Sequence, residues 1–215
     1  MTQKDIKISA MKHLIQIEQE LKKRLDYPYR WGKRQTDDWD KKTNFIYSTP
    51  LFNDLLLRID SFDPQLKDYA MNRWYNFWSA QAVERIFAAH PNVTAHTNPY
   101  DKRVDFYIDH IPFDHKTSVF PKGFNRTFNE AVNNKRALIE WLYRYQSQQG
   151  RKHLKNRLFI VLYDAKEGQH WRLKSHIGAL KKVIDAYVSS FSKEKLVPLH
   201  LESERIYSDC IWFME

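Results

Sequence analysis

Two acidic residues and a lysine occur close together near the middle of the chain. Asp105 is followed by Asp114, and Lys116 stands two positions after Asp114. Two carboxylates that lie side by side either share a proton or bind a cation between them. Mg²⁺ binds through one or two carboxylates and keeps places for water and phosphate, and a nearby ammonium group stabilises charge on a phosphate or polarises an attacking water. These residue types therefore favour a metal site that hydrolyses phosphodiester bonds.

The segment that carries these residues has the pattern of a β-hairpin. Apolar residues alternate with other residues on both sides of Asp109-His110, which is the period of half-buried strands joined by a tight turn. In the register that a two-residue turn favours, Asp105 lies directly opposite Asp114. Lys116 projects from the same face as both acids, because side chains two positions apart share a face of a strand.

The same register predicts that histidines stay away from this site. His115 is expected on the opposite face with Phe113, and His110 is expected in the turn. Histidine ligation of a metal is therefore not favoured, and the expected ligands are carboxylates. The competing interpretation is a solvent-facing hairpin whose acidic residues and lysine are merely hydrated.

An aspartate followed at some distance by Asp-x-Lys after a hydrophobic strand resembles the motif of the PD-(D/E)XK nuclease superfamily. The matching residues are Asp105, Asp114 and Lys116, and the resemblance covers residues 66–164. Two positions depart from the common pattern: Val104 stands where Pro often precedes the first acid, and Asp114 replaces the commoner Glu.

The resemblance implies an α/β fold with a central mixed β-sheet flanked by helices. Its restriction-endonuclease-like core has the order αβββαβ. The candidates in this chain are a helix at 66–89, a strand at 92–96, the hairpin, a helix at 124–149 and a strand at 157–164.

A glutamate in the first helix often reaches the metal site in this superfamily, and Glu84 is the matching candidate. Helical spacing places Glu84 on one face with Phe77, Ala80 and Ala88. The alternative is a glutamate at the border of that face that pairs with a neighbouring lysine or arginine.

The roles that the resemblance implies form one catalytic set. Glu84, Asp105 and Asp114 would ligate Mg²⁺, with Mn²⁺ as an alternative, and Lys116 would position the nucleophilic water. The implied activity is a metal-dependent DNA endonuclease, and analogy alone suggests the restriction type. The alternatives are a repair or junction-resolving nuclease, a non-catalytic nucleic-acid-binding module on the same fold, and a structural or partner-binding protein.

The charge balance of the chain is consistent with a nucleic-acid partner. The 215 residues include 35 Lys and Arg against 26 Asp and Glu, for a net charge of +9, and such an excess suits a polyanion. Four basic residues bracket the hairpin and are expected to contact DNA phosphates, which gives affinity rather than sequence choice; they are Lys102, Arg103, Lys122 and Arg126. A second basic cluster, at 151–157, is predicted to be a solvated loop.

The chain is predicted to have two parts. Residues 1–64 form a helical N-terminal extension, and residues 65–215 form the nuclease-like domain with a C-terminal α/β addition. The extension could hold DNA, form a homodimer surface or cover the sheet. The elements expected outside the core are helices at 5–25, 51–59 and 175–191, a loop at 30–44, and strands at 196–201 and 206–213.

Cysteine usage and hydropathy exclude several protein classes. A single cysteine, Cys210, rules out an internal disulfide framework and a cysteine-based zinc site. The chain has neither an apolar signal region at its start nor an apolar run long enough for a membrane helix. A cytoplasmic protein is the resulting expectation.

Overall fold

The computed structural model describes residues 3–31, 37–97, 104–146, 155–201 and 204–215. The helices in this part of the chain are α1 Gln3–Lys23, α2 Asp37–Lys42, α3 Phe52–Ile59, α4 Pro64–Ala88, α5 Phe128–Asn133, α6 Lys135–Gln146 and α7 Ile177–Ser189. The strands are β1 Val93–Ala95, β2 Phe106–Ile108, β3 Ile111–Val119, β4 Arg157–Tyr163, β5 Val197–Leu201 and β6 Glu204–Met214. None of the helices in the described ranges is long and apolar enough to cross a membrane.

The six strands form one mixed sheet in the order β1-β2-β3-β4-β6-β5. Strands β1, β2 and β3 form an antiparallel meander. β4 runs parallel to both β3 and β6, and β5 closes the far edge antiparallel to β6. The predicted α/β class with a mixed sheet is therefore confirmed.

The chain divides into two compact units. The first, the helical unit, comprises Met1–Val83 with Lys174–Ala179, and the second, the sheet unit, comprises Glu84–Leu173 with Leu180–Glu215. The division falls inside α4, later than the predicted boundary after residue 64, because residues 64–83 of this helix pack with the helical unit. The whole sheet lies in the second unit.

The helical unit departs from the sequence expectation in two places. α2 lies within the stretch at 30–44 that was expected to be a loop. The sequence Ser48-Thr49-Pro50 predicts a hydroxyl cap for the helix that follows, but α3 begins after Leu51 without a side-chain cap of its own. The carboxylate of Glu20 in α1 accepts the backbone N–H of Phe52 at 2.8 Å instead. A residue distant in sequence thus satisfies a helix-end N–H that a local hydroxyl usually satisfies.

The helical segment between β3 and β4 is two helices rather than the single predicted helix. Thr127 begins α5 with a capping box, in which Thr127 and Glu130 exchange side-chain and backbone hydrogen bonds. The chain leaves the helical conformation at Asn134, and the Asn134 side chain accepts the N–H of Ala137 in α6. Asparagine favours such breaks because its side chain competes for backbone hydrogen bonds.

The core of the sheet unit is built on β4. This strand is buried from Arg157 to Leu162, as expected for a parallel strand covered on both faces. Helices α5 and α6 pack against one face of the sheet. The apolar cluster between them includes Phe128, Leu138 and Leu142 of the helices and Phe159, Val161 and Ile206 of the strands.

Candidate active site

The predicted hairpin is present in the predicted register near its turn. Asp109 and His110 have φ angles of 46° and 68°, as a two-residue turn with both central residues at positive φ requires. Pairing extends from this turn to Phe106 opposite Phe113. This part of the sequence interpretation is confirmed.

Beyond Phe106 the pairing differs from the expectation. The N–H of Asp105 donates to the carbonyl of Phe113 at 2.8 Å, although Phe113 already pairs with Phe106. Two consecutive residues therefore face one residue of β3, which is the arrangement of a β-bulge and re-aims the extra side chain. The N–H of Asp114 donates to Asn156, next to β4, at 3.0 Å. The predicted direct pairing of Asp105 with Asp114 is therefore wrong.

The partner of Asp105 is His115. Asp105 Oδ2 accepts the backbone N–H of His115 at 2.7 Å and lies 2.9 Å from His115 Nδ1. The prediction that His115 points away from the site is wrong, because it assumed strict alternation through Asp105 and the bulge breaks that alternation. The imidazole is buried and stacks on the ring of Phe106, with 6.0 Å between ring centroids.

This pairing sets the charge of Asp105 and the tautomer of His115. Burial favours a raised pKa for the Asp105 carboxyl, but hydrogen bonds and positive charge from His115, together with the charge of Lys116, outweigh it and hold that pKa below its ordinary value. An ionised carboxylate only accepts hydrogen bonds, so His115 Nδ1 carries a proton. In neutral His115 the lone pair is then on Nε2, and His115 Nδ1 would have to lose its proton before it and Asp105 could ligate one cation.

Glu84 reaches the same place from α4. Phe87, three positions later and so on the same side of the helix, stacks on Phe106 with 4.4 Å between ring centroids. Potential ligand atoms of Glu84, Asp105 and His115 all lie within 4.8 Å of one another. Opposite ligands of a six-coordinate Mg²⁺-sized ion are about 4.2 Å apart. The three side chains are therefore spaced to hold one ion with small adjustments.

Asp114 lies in a different environment, among basic groups. Its Oδ2 accepts a hydrogen bond from Arg157 Nε at 3.0 Å, and its Oδ1 accepts one from Lys116 Nζ at 2.8 Å. Lys155 Nζ lies 3.7 Å from the same Oδ1. The structure thus joins Asp114 to Lys116, as the sequence suggested, but separates Asp114 from the three potential ligands described above.

The burial of Lys155 and Arg157 contradicts the expectation of a solvated loop at 151–157. Both belong to the basic stretch at 151–157 that was predicted to be a solvated loop, yet Arg157 is buried and Lys155 is largely covered. Arg157 opens β4 opposite Asp114 in the parallel register, and its guanidinium lies over the ring of Tyr143. The available signal was an arginine directly before the apolar run of a central strand. The strand pairing that brings it to Asp114 is not visible in the sequence.

The residues predicted to bind DNA phosphates stay predictions. Lys122 and Arg126 are exposed after β3, and the Arg126 guanidinium lies over the ring of Phe124. Lys102 and Arg103 lie outside the described residues.

Comparison with known proteins assigns no family. No family model, curated protein or solved structure matches the chain. The resemblance to the PD-(D/E)XK superfamily therefore stays a prediction from the sequence.

Proposed function

We propose that the protein is a metal-dependent nuclease of the PD-(D/E)XK type that hydrolyses phosphodiester bonds in DNA. The observation that carries the proposal is the convergence of Glu84, Asp105 and His115 within 4.8 Å. Lys116 follows directly in the chain, and its charge acts on Asp105. Two carboxylates and an imidazole can hold a cation, and a neighbouring lysine can stabilise charge on a phosphate.

The order of the surrounding elements supports the same proposal. Helix α4 precedes the antiparallel meander β1-β2-β3, and α5 and α6 lead to β4, which pairs parallel with β3. This is the helix, three strands, helix and strand order that the resemblance implies. The helical residues 1–64 and the elements after β4 lie outside that core.

The residues of the site would have separate roles in the reaction. Glu84, Asp105 and His115 would hold the cation, which would take the place of the proton that lies between Asp105 and His115 Nδ1 in its absence. When bound, such a cation lowers the pKa of a bound water and offsets charge on the scissile phosphate. Lys116, whose side chain is 47% exposed, would donate hydrogen bonds to the phosphate or to the attacking water.

The donor set bears on the choice of metal. The sequence suggested carboxylates alone, which suit Mg²⁺, whereas the clustered residues include an imidazole. Imidazole suits borderline metals, and carboxylates suit Mg²⁺, Ca²⁺ and Mn²⁺. Mn²⁺ is therefore the cation that we propose first, with Mg²⁺ second.

A plasmid cleavage assay tests this function. Supercoiled DNA is incubated with the protein and Mn²⁺, Mg²⁺ or EDTA, and Lys116→Ala is compared with Lys182→Ala, which removes an exposed lysine of α7. We expect cutting with Mn²⁺, none with EDTA, loss in Lys116→Ala and full activity in Lys182→Ala. Wild-type protein that binds DNA without cutting under any of these metals would indicate a non-catalytic binding module.

The products of the same assay separate the biological roles. Discrete linear fragments would indicate sequence choice, as in a restriction-type enzyme. Nicked circles would indicate cutting of one strand. A branched substrate in place of the plasmid would reveal a junction-resolving or repair nuclease.

A further inference from the structure

Three basic side chains lie around the carboxylate of Asp114. One buried carboxylate faces the guanidinium of Arg157 and the ammonium groups of Lys116 and Lys155. Arg157 is 8% exposed and donates a hydrogen bond to Oδ2, so it suffices as the structural counter-charge. Both lysines approach the other oxygen, Oδ1.

The two lysines differ from Arg157 in their access to solvent. The Lys116 side chain is 47% exposed and that of Lys155 is 14% exposed. Lys155 Nζ is 3.7 Å from Oδ1, which is an ion-pair distance rather than a hydrogen bond. Its ammonium group is therefore held near the carboxylate without being tied to it by a hydrogen bond.

Both acidic and basic groups act on the charge of Lys155. Burial lowers the pKa of Lys155, the positive charges of Lys116 and Arg157 lower it further, and Asp114 and Asp105 act in the opposite direction. A phosphate oxygen beside Lys116 and Lys155 would accept charge-assisted hydrogen bonds from both ammonium groups.

We propose that Lys155 and Lys116, both held on Asp114, form a binding site for a backbone phosphate of a polynucleotide. The proposal rests on the nuclease function above and adds Lys155 to the site as a phosphate-binding residue. It assigns Asp114 the part of an anchor that positions both lysines, beside the Glu84–Asp105–His115 group rather than within it.

The test is the salt dependence of DNA binding in EDTA, measured by fluorescence anisotropy with a short fluorescein-labelled duplex. Each phosphate contact contributes about −0.9 to the slope of log K against log salt. Lys155→Met leaves Lys116 beside the same phosphate, so it should reduce the steepness of the slope by at most that amount. The ratio of wild-type to variant affinity should then fall by up to about 3.5-fold between about 50 and about 200 mM salt.

Two further variants make the result specific. Lys155→Arg retains the charge and should keep a steep slope, and Lys182→Met removes an exposed charge of the same unit and should leave the slope unchanged. The far-ultraviolet circular dichroism of each variant is compared with that of wild type to exclude unfolding. An unchanged slope in folded Lys155→Met would overturn the proposal.

Parallel cleavage measurements separate this proposal from the proposed function. Cutting with Mn²⁺ together with an unaltered slope in Lys155→Met would refute the phosphate site and keep the nuclease. A Lys155-dependent slope without any cutting would keep the phosphate site and refute the nuclease. Absence of both DNA binding and cutting in wild type would refute both.

Discussion

Removing the charge of Asp114 is expected to destabilise the sheet unit strongly. Asp114 Oδ2 lies 3.0 Å from Arg157 Nε, and the two side chains are 3% and 8% exposed. In Asp114→Asn the Arg157 guanidinium stays buried over Tyr143 without this carboxylate. Breaking a buried pair by neutralising one partner costs about 3–5 kcal/mol, because the other charge remains desolvated.

The lysine on the other oxygen provides the matched comparison. Lys116 is 47% exposed, and an ion pair of that exposure contributes about 0–1 kcal/mol. Lys116→Met should therefore cost no more than about 1 kcal/mol. Asp114→Asn and Lys116→Met together separate the buried half of the cluster from its exposed half.

The assay is urea denaturation in EDTA, followed by tryptophan fluorescence, for Asp114→Asn, Arg157→Met and the double variant. The double variant should be clearly more stable than the sum of the two losses predicts, since it leaves neither charge buried alone. A loss below about 1 kcal/mol in Asp114→Asn, or losses that add up in the double variant, would refute the conclusion that the ion pair of Asp114 and Arg157 stabilises the sheet unit.

Further predictions concern the proposed metal ligands and one helix cap. His115→Ala should abolish saturable Mn²⁺ binding, measured by electron paramagnetic resonance, whereas His200→Ala should leave it unchanged; retained binding in His115→Ala would exclude the imidazole as a ligand. Glu84→Gln should weaken Mn²⁺ binding by about tenfold or more, and an equal dissociation constant would place Glu84 outside the site. Thr127→Ala removes the capping box of α5 and should lower the free energy of unfolding by about 1 kcal/mol. Thr127→Ser should recover most of that loss in urea denaturation, and equal stability of all three proteins would contradict the cap.

The sequence predicted local elements well where periodicity and turn chemistry act over a few residues. The alternation around Asp109-His110 indicated the hairpin, and the long apolar run after Arg157 indicated the central strand β4. The helix after β3 was predicted as one element because its apolar spacing continues through the break at Asn134. There, side-chain hydrogen bonds outweigh helical propensity, and periodicity does not register them.

The site was predicted in part, and the misses have a common cause. Strict alternation through Asp105 placed this residue opposite Asp114, whereas the bulge shifts the pairing by one residue. A one-residue shift moves a side chain to the other face of a sheet. The same shift explains why Asp105 meets His115 and why His115 was excluded from the candidate ligands.

The sequence by itself determined which chemical groups are concentrated around the hairpin and that the hairpin would form. Local sterics and burial decide these features, and both are encoded within a few neighbouring positions. Only the tertiary structure decided which of these groups contact one another. The β-bulge at Asp105 brings this residue to His115, the packing of Phe87 on Phe106 brings Glu84 to them, and the parallel pairing of β3 with β4 brings Arg157 to Asp114. The last two contacts join residues far apart in the chain, so their geometry depends on strand order and helix packing rather than on any local pattern.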